Sequence, residues 1–398
     1  MTDDRRIGTI VARARPEADP AYASIAPPLW SSDTFRWSDA DTKPEFDYSR
    51  TVNPNRNLLL SALCELEGAS GGAVTNSGQA AALLTLLLFP AASLVIAPTD
   101  CYGGTYRLLK GLEDMGRLRS EFVDMLDDAA FARALDHSPA LVWIETPSNP
   151  LLRVTDIQHR AALARNAGAL VIADNTLATP YRQKPLELGC DLVMHSTTKA
   201  LNGHGDLFGG ALLAADPAVA ERIQWWANAA GLNGSAIDAA QTLRGLRTLN
   251  LRVDRQERSA ARIAEWLTRQ PQVLAVNYPG LAIHPQHGLA ASQQGGGGFM
   301  ISFQLRGGER AAAAFLRDLQ LITLASSLGG FSTLICKPAT MTHRGMPPGE
   351  QARAGIGSDL LRLSIGLEEV DDLIADLERG FAALSRAAPS NANPRDGG

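Results

Sequence analysis

The sequence predicts an α/β fold: a mostly parallel central sheet covered by helices, followed by a smaller C-terminal α+β domain. Three observations predict it. Short apolar runs of strand length recur between residues 93 and 194, helical stretches alternate with them, and the pattern changes after about residue 250. The chain has 398 residues, 45% hydrophobic and 20% charged, an ordinary globular composition whose length favours more than one domain.

Taken in order, residues 1–57 are rich in Pro, Ser, Asp and Arg with little periodicity, and read as an extended arm. Residues 58–250 carry the alternating pattern. Leu58 to Leu66 and Ala80 to Phe89 read as helices. The strand-like runs are Ser93–Ile96, Glu121–Val123, Ala140–Ile144, Leu170–Ile172 and Leu192–Met194. Gly209 to Leu213 reads as one more strand, open to an antiparallel placement. Residues 251–398 open with a charged amphipathic helix, Arg255 to Arg269. Phe299–Phe303 and Leu361–Ile365 read as strands and Val370 to Leu384 as a helix. From about residue 389 the Pro, Asn and Gly composition predicts disorder.

Composition narrows the function. Net charge is −5, from 37 basic and 42 acidic residues, with no basic block, so no nucleic-acid partner is expected. The start of the sequence is polar with no apolar core of a secretory signal, and the most apolar stretch stops at Pro90, too short to span a bilayer. The expectation is a cytoplasmic protein with no membrane partner. Cys64, Cys101, Cys190 and Cys336 lack paired spacing and read as reduced thiols. The histidines form no metal-binding set.

Two residues point to chemistry. Lys199 closes His195-Ser196-Thr197-Thr198-Lys199 just after a buried-strand pattern, and Asp174 ends the apolar run Ala169–Ala173. Pyridoxal 5′-phosphate (PLP) needs such a pair: a lysine amine that condenses with its aldehyde, and a carboxylate that keeps its ring nitrogen protonated. Their separation of 25 positions accommodates a connecting helix and a further strand. Ser196 and Thr198 offer hydroxyls to a phosphate. A buried lysine is costly when charged and is driven toward a lowered pKa.

Further candidates sit at predicted strand ends. Ser77 caps a helix that opens with Gly78 and Gln79, either a plain capped helix or, with Ser196 and Thr198, an anion site. Tyr102 follows a strand, in position to stack on a flat ring or to pack on the core, and Arg107 is in reach of an anionic substrate or of solvent. Asn149 lies in Glu145-Thr146-Pro147-Ser148-Asn149-Pro150, where turn chemistry and hydrogen bonding to a ring hydroxyl or substrate both fit. Arg362 is the lone charge on an apolar strand and needs an anion there, a substrate α-carboxylate or a structural acid.

Taken together, these segments resemble the γ-family of PLP enzymes that handle cysteine, homoserine and methionine precursors. The likeness runs from about residue 5 to about 386. It is carried by Tyr48-Ser49-Arg50-Thr51-Val52-Asn53-Pro54, Tyr102-Gly103-Gly104-Thr105, Glu145–Pro150, Asp174-Asn175-Thr176, Ser196-Thr197-Thr198-Lys199, Ser327-Leu328-Gly329-Gly330 and Met341-Thr342-His343. The strings Trp225-Trp226-Ala227-Asn228 and Leu243–Leu249, with Gln293-Gln294 and Gly297 to Phe299, are most similar to the bacterial cystathionine γ-synthases within it.

The resemblance implies the architecture of fold type I PLP-dependent transferases and a homotetramer of two active-site dimers. It implies that Tyr48 and Arg50 complete the neighbour's site, with Arg50 on the phosphate, and that Tyr102 stacks on the ring and assists proton transfer. Arg362 and Ser327 are implied to hold the substrate α-carboxylate, with Asn149, Arg107 and Asp47 also near the substrate. The implied reaction is γ-replacement on an O-acylated homoserine, O-succinyl-L-homoserine being expected, with L-cysteine to give cystathionine. The alternatives are a γ- or β-lyase acting on cystathionine- or methionine-type substrates, and a sulfhydrylase using a simpler thiol or sulfide. This chain departs from the family pattern at Ala200 (commonly Tyr), Gln79 (commonly Met), Ser332 (often Glu) and Thr51 (often Arg in the closest synthases). The Glu lies near the distal amino group in relatives and the Arg meets the acyl carboxylate, so these two differences bear on both substrates.

Overall fold

The computed structural model describes residues 6–14, 19 and 21–387. The segment expected to be disordered from about residue 389 lies outside the described residues.

Seven strands form the first sheet: β1 (Gly71–Thr75), β2 (Ser93–Pro98), β3 (Leu118–Val123), β4 (Leu141–Glu145), β5 (Leu170–Asp174), β6 (Leu192–His195) and β7 (Gly210–Ala214). Their order is β1-β7-β6-β5-β4-β2-β3. The five strands from β3 to β6 are mutually parallel, and β7 runs antiparallel to both β1 and β6. Both faces are covered, which is why these strands read as near-continuous apolar runs. Leu141, Trp143 and Ile172 face one helical layer, while Val142, Ile144, Val171 and Ala173 face the other.

Local chemistry sets the helices that matter for the site. Asn53 caps the helix Pro54–Glu67 by accepting from the N–H groups of Asn55 and Arg56, and Pro54 occupies its first turn. That cap starts the helix earlier than the apolar pattern from Leu58 suggests. Ser77 caps Gly78–Leu87 by accepting from the Ala80 N–H. A short helix, Ile7–Ala12, buries Val11 against Leu59 and Leu63 of the first long helix, so the arm is not extended throughout.

The second sheet contains β8 (Val273–Asn277), β9 (Met300–Leu305), β10 (Thr323–Leu324), β11 (Leu334–Cys336) and β12 (Leu360–Ser364), in the order β10-β11-β12-β9-β8. Its core packs Ile301, Phe303, Leu361 and Leu363 with residues of helices Leu249–Thr268, Gly308–Arg317 and Val370–Ala387. β1, β8, β10 and β11 are not evident in the sequence. In β1, Gly71 and Gly72 weaken the strand signal, yet a Cβ on Gly72 would lie 2.1 Å from the Leu212 carbonyl oxygen of β7. Among the described residues, no helix is long and apolar enough to cross a membrane.

Candidate active site

A cavity of about 570 Å³ opens at the carboxyl ends of β4, β5 and β6, where open α/β sheets bind ligands. Met194, Ser196 and Thr198 line it, as do Asp174 and Thr176; the intervening Asn175, His195 and Thr197 are buried behind them. Strand-like alternation thus gives each segment a cavity side and a core side. The second sheet closes the cavity with Arg362 of β12, while Ser326 to Leu328, Met341 and Thr342 come from its loops.

Lys199 reaches into this space and donates from Nζ to the Ser327 hydroxyl at 2.9 Å. Burial, and then the positive charge of Arg362, lower its pKa to about 8. The chain has five lysines. Lys43, Lys110, Lys184 and Lys337 each pair with a carboxylate, and Lys199 alone has no acidic partner among the described residues. Its neighbour Ser327 holds φ +92°, a strained left-handed conformation for a residue with a side chain.

Asp174 accepts from Thr176 twice, at 3.0 Å from the N–H and 2.5 Å from the hydroxyl. The Thr176 oxygen in turn accepts from the Ser196 N–H at 2.9 Å, joining the acid to the segment that carries Lys199. Glu145 stands opposite Asp174 in the β4–β5 register and also lines the cavity. Burial pushes both carboxyl groups upward, and for Glu145 the charge of Asp174 adds to it. Neither has an ion-pair partner among the described residues. Glu145 accepts from the backbone N–H of Tyr102 at 2.8 Å and of Asn149 at 3.2 Å, holding two of the predicted site loops. Its position at the end of an apolar strand, like that of Asp174, is the signal that could have marked it; Thr176, two residues beyond the acid, carried the same kind of signal.

Arg362 donates to the Asn149 side-chain oxygen and to the Ser327 carbonyl, both at 2.8 Å. It has no carboxylate partner, and its buried Nε is unpartnered among the described residues. His343 is buried nearby, its pKa lowered to about 4 by burial and then by Arg362. Arg107 is exposed at the cavity edge without an ion pair among the described residues. Gly78 and Gln79 open the capped helix, and a Cβ on Gly78 would lie 2.7 Å from Ser196 Cβ. The Thr198 hydroxyl accepts from the Gly209 N–H at 2.9 Å and donates to its carbonyl at 3.1 Å, so its proton is already engaged.

Asp47, Tyr48 and Arg50 do not line this cavity. Arg50 lies over the Tyr48 ring at 5.2 Å and its Nε faces Asn228 at 3.4 Å; Asp47 pairs with Lys43 at 3.6 Å. One chain therefore brings Lys199, Asp174, Ser196, Thr198, Gly78, Gln79, Tyr102, Asn149, Ser327, Arg107 and Arg362 around one space, and leaves the three arm residues outside it.

The donor set fits PLP. Two carboxyl groups lining the cavity, the buried Glu145 and the half-buried Asp174, have no ion-pair partner among the described residues, and a protonated ring nitrogen would supply a cation. The Lys199 amine, its pKa lowered to about 8, suits condensation with an aldehyde, and the N-terminus of helix Gly78–Leu87 beside Ser196 suits a phosphate. The family model for the Cys/Met metabolism PLP-dependent enzymes matches residues 8–382. The chain belongs to that family. It is 46% identical over 383 residues to a cystathionine gamma-synthase of Escherichia coli, covering 96% of this chain and 99% of that protein. It is 38% identical to a cystathionine beta-lyase of Coxiella burnetii, over 94% of this chain and 97% of that one. A crystal structure of cystathionine gamma synthase from Xanthomonas oryzae pv. oryzae, in complex with aminoacrylate and cysteine, superposes with a TM-score of 0.95 at 45% identity, covering 96% of this chain and all of that one. The protein is thus a fold type I, PLP-dependent enzyme of the transferase or carbon–sulfur lyase kind.

Proposed function

We propose that the protein catalyses γ-replacement on an O-acylated homoserine, O-succinyl-L-homoserine first among them, with L-cysteine to give cystathionine and the free acid. The observation that carries the reading is a neutral-prone Lys199 amine held 2.9 Å from Ser327, beside an Arg362 that has no acid of its own. Those are the groups that grip an amino acid and move its protons.

When bound, PLP would delocalise the electrons left on the substrate as protons leave Cα and Cβ. Lys199 would hold the cofactor and, once released, take the Cα proton and return protons along the substrate. Asp174, oriented by Thr176, would keep the ring nitrogen protonated, and Glu145 would hold the Tyr102 and Asn149 loops in place. Arg362 would bind the α-carboxylate and so orient the substrate for proton removal at Cα, its guanidinium held by Asn149 and the Ser327 carbonyl. Gly78, Gln79 and Ser196 would bind the phosphate; Thr198 would join them by giving up its bond to the Gly209 carbonyl. Tyr102 would stack on the ring.

The same proposal extends to the assembly. Residues 1–57 act as an arm, 58–250 as the cofactor domain and 251–398 as the C-terminal domain, in a cytoplasmic homotetramer where Asp47, Tyr48 and Arg50 serve the neighbouring site.

A second reading is favoured by the recess adjoining the cavity. Phe208, Phe331, Ser332 and Leu334 line it, and Asp206 is its carboxylate among the described residues. With Ser332 in place of an acid, a distal ammonium has fewer partners, which favours a simpler thiol or sulfide, or elimination. Incubation with O-succinyl-L-homoserine, with and without L-cysteine, separates them. Thiol-dependent cystathionine formation supports the synthase. Release of 2-oxobutyrate and ammonia regardless of thiol contradicts it and supports a lyase.

A further inference from the structure

Behind the cavity lies a second polar layer that touches no ligand space. Glu67, the last residue of helix Pro54–Glu67, is fully buried, and its Oε1 contacts two side chains. One is the Asn175 amide, which donates at 2.9 Å; the other is His195 Nε2, at 2.6 Å. Asn175 directly follows Asp174, and His195 directly precedes Ser196. On the cavity side, the same two segments are joined by Asp174, Thr176 and the Ser196 N–H. The ends of β5 and β6, already paired through the Asn175 N–H and the Met194 carbonyl at 3.0 Å, are therefore also tied by side chains on each face, and Glu67 is the clasp on the core side.

Stability alone gives little reason for this clasp. Glu67 Oε2 and His195 Nδ1 are buried without a partner among the described residues. A buried, incompletely satisfied Glu–His pair is a poor stabiliser, and apolar residues of similar volume commonly serve as well or better. What the pair adds beyond the β5–β6 ladder is a side-chain brace on the spacing between the residues that follow it, from Asp174 on one strand end to Ser196 and Lys199 on the other. A cofactor gripped at ring nitrogen, phosphate and aldehyde requires that spacing to hold within a fraction of an ångström.

We propose that Glu67 is a positioning residue: through His195 and Asn175 it sets the separation of the Asp174 and Ser196–Lys199 segments that hold the cofactor. The inference rests on Asp174 and Lys199 being the cofactor residues, as proposed above.

The test compares Glu67→Ala with Glu67→Gln, whose amide oxygen can still accept from Asn175 and His195. Cofactor-stripped protein is titrated with PLP, following the visible band of the lysine-linked cofactor, its pH titration, and kcat and KM. Glu67→Ala is expected to weaken PLP binding and lower kcat by about tenfold or more, with KM little changed, and to shift the pH titration of the band. Glu67→Gln is expected to recover most of the loss, to within about threefold of the parent. Should Glu67→Ala not fold, His195→Leu removes one donor from the same oxygen and is expected to weaken PLP binding in the same way. Folded variants that lose thermal stability while PLP affinity, band and kcat stay within twofold of the parent would overturn the positioning role alone. A band that survives in Lys199→Ala would overturn the cofactor assignment, and this inference with it.

Discussion

The strand-end cavity and the N-terminal arm are built on opposite terms. In the cavity, Asp174, Lys199 and Arg362 each have a hydrogen-bonding side-chain partner: Thr176 for Asp174, Ser327 for Lys199, Asn149 for Arg362. In the arm, Tyr48 is 41% exposed, and Tyr22, Ile25 and Trp37 also lie open to solvent. These cavity groups find a side-chain partner within one chain, though the Arg362 Nε stays unpartnered among the described residues, whereas several of the arm's aromatic side chains lie open. In the assembly proposed above, the contrast marks the arm as the part of the chain that would act on a second subunit.

The largest expected effect tests the cavity side. Lys199→Ala should keep the fold and lower turnover by about a thousandfold or more, because both the cofactor link and the proton carrier are lost. Near-normal activity in that variant would show that the cavity is not the reacting centre.

A smaller effect sharpens the electrostatics. The Lys199 pKa is lowered to about 8 from 10.5, so the neutral amine forms as pH rises through about 8. Cofactor-stripped protein should accordingly take up PLP about tenfold faster at pH 9 than at pH 7, provided condensation limits the rate. The sign for stability is the same: below the folded pKa the buried charge costs stability, which is regained between about 8 and 10.5. A flat uptake profile across this range would mean that the amine is not desolvated.

The smallest effect tests the arm. Mixing an Arg50→Ala chain with a Lys199→Ala chain should restore about a quarter of the parent activity, because random pairing gives mixed dimers one intact site each. No rescue despite demonstrated subunit exchange would return the arm to a structural role.

What the sequence disclosed follows the same divide. Lys199 and Asp174 stood out because a charged residue ending an apolar run has few structural uses, and Arg362 because it interrupts one. Glu145 had the same signature at the end of β4 but was masked by the turn-like Pro-Ser-Asn-Pro string after it. Glu67 was illegible: at a helix end it reads as a solvated charge, and only the fold shows it fully buried against His195. β1 was hidden by glycines that its close approach to β7 requires, and the helix start by a cap at Asn53 that lies outside the apolar pattern. The roles of Asp47, Tyr48 and Arg50 rest on resemblance, since nothing in their local sequence encodes a partner on another chain.

The most direct measurement is reduction of the purified enzyme with borohydride, followed by peptide mapping of the fixed cofactor. With five lysines in the chain, the outcome is unambiguous. The account predicts the pyridoxyl mass on Lys199 alone; a label on Lys43, Lys110, Lys184 or Lys337, with Lys199 unmodified, would contradict it.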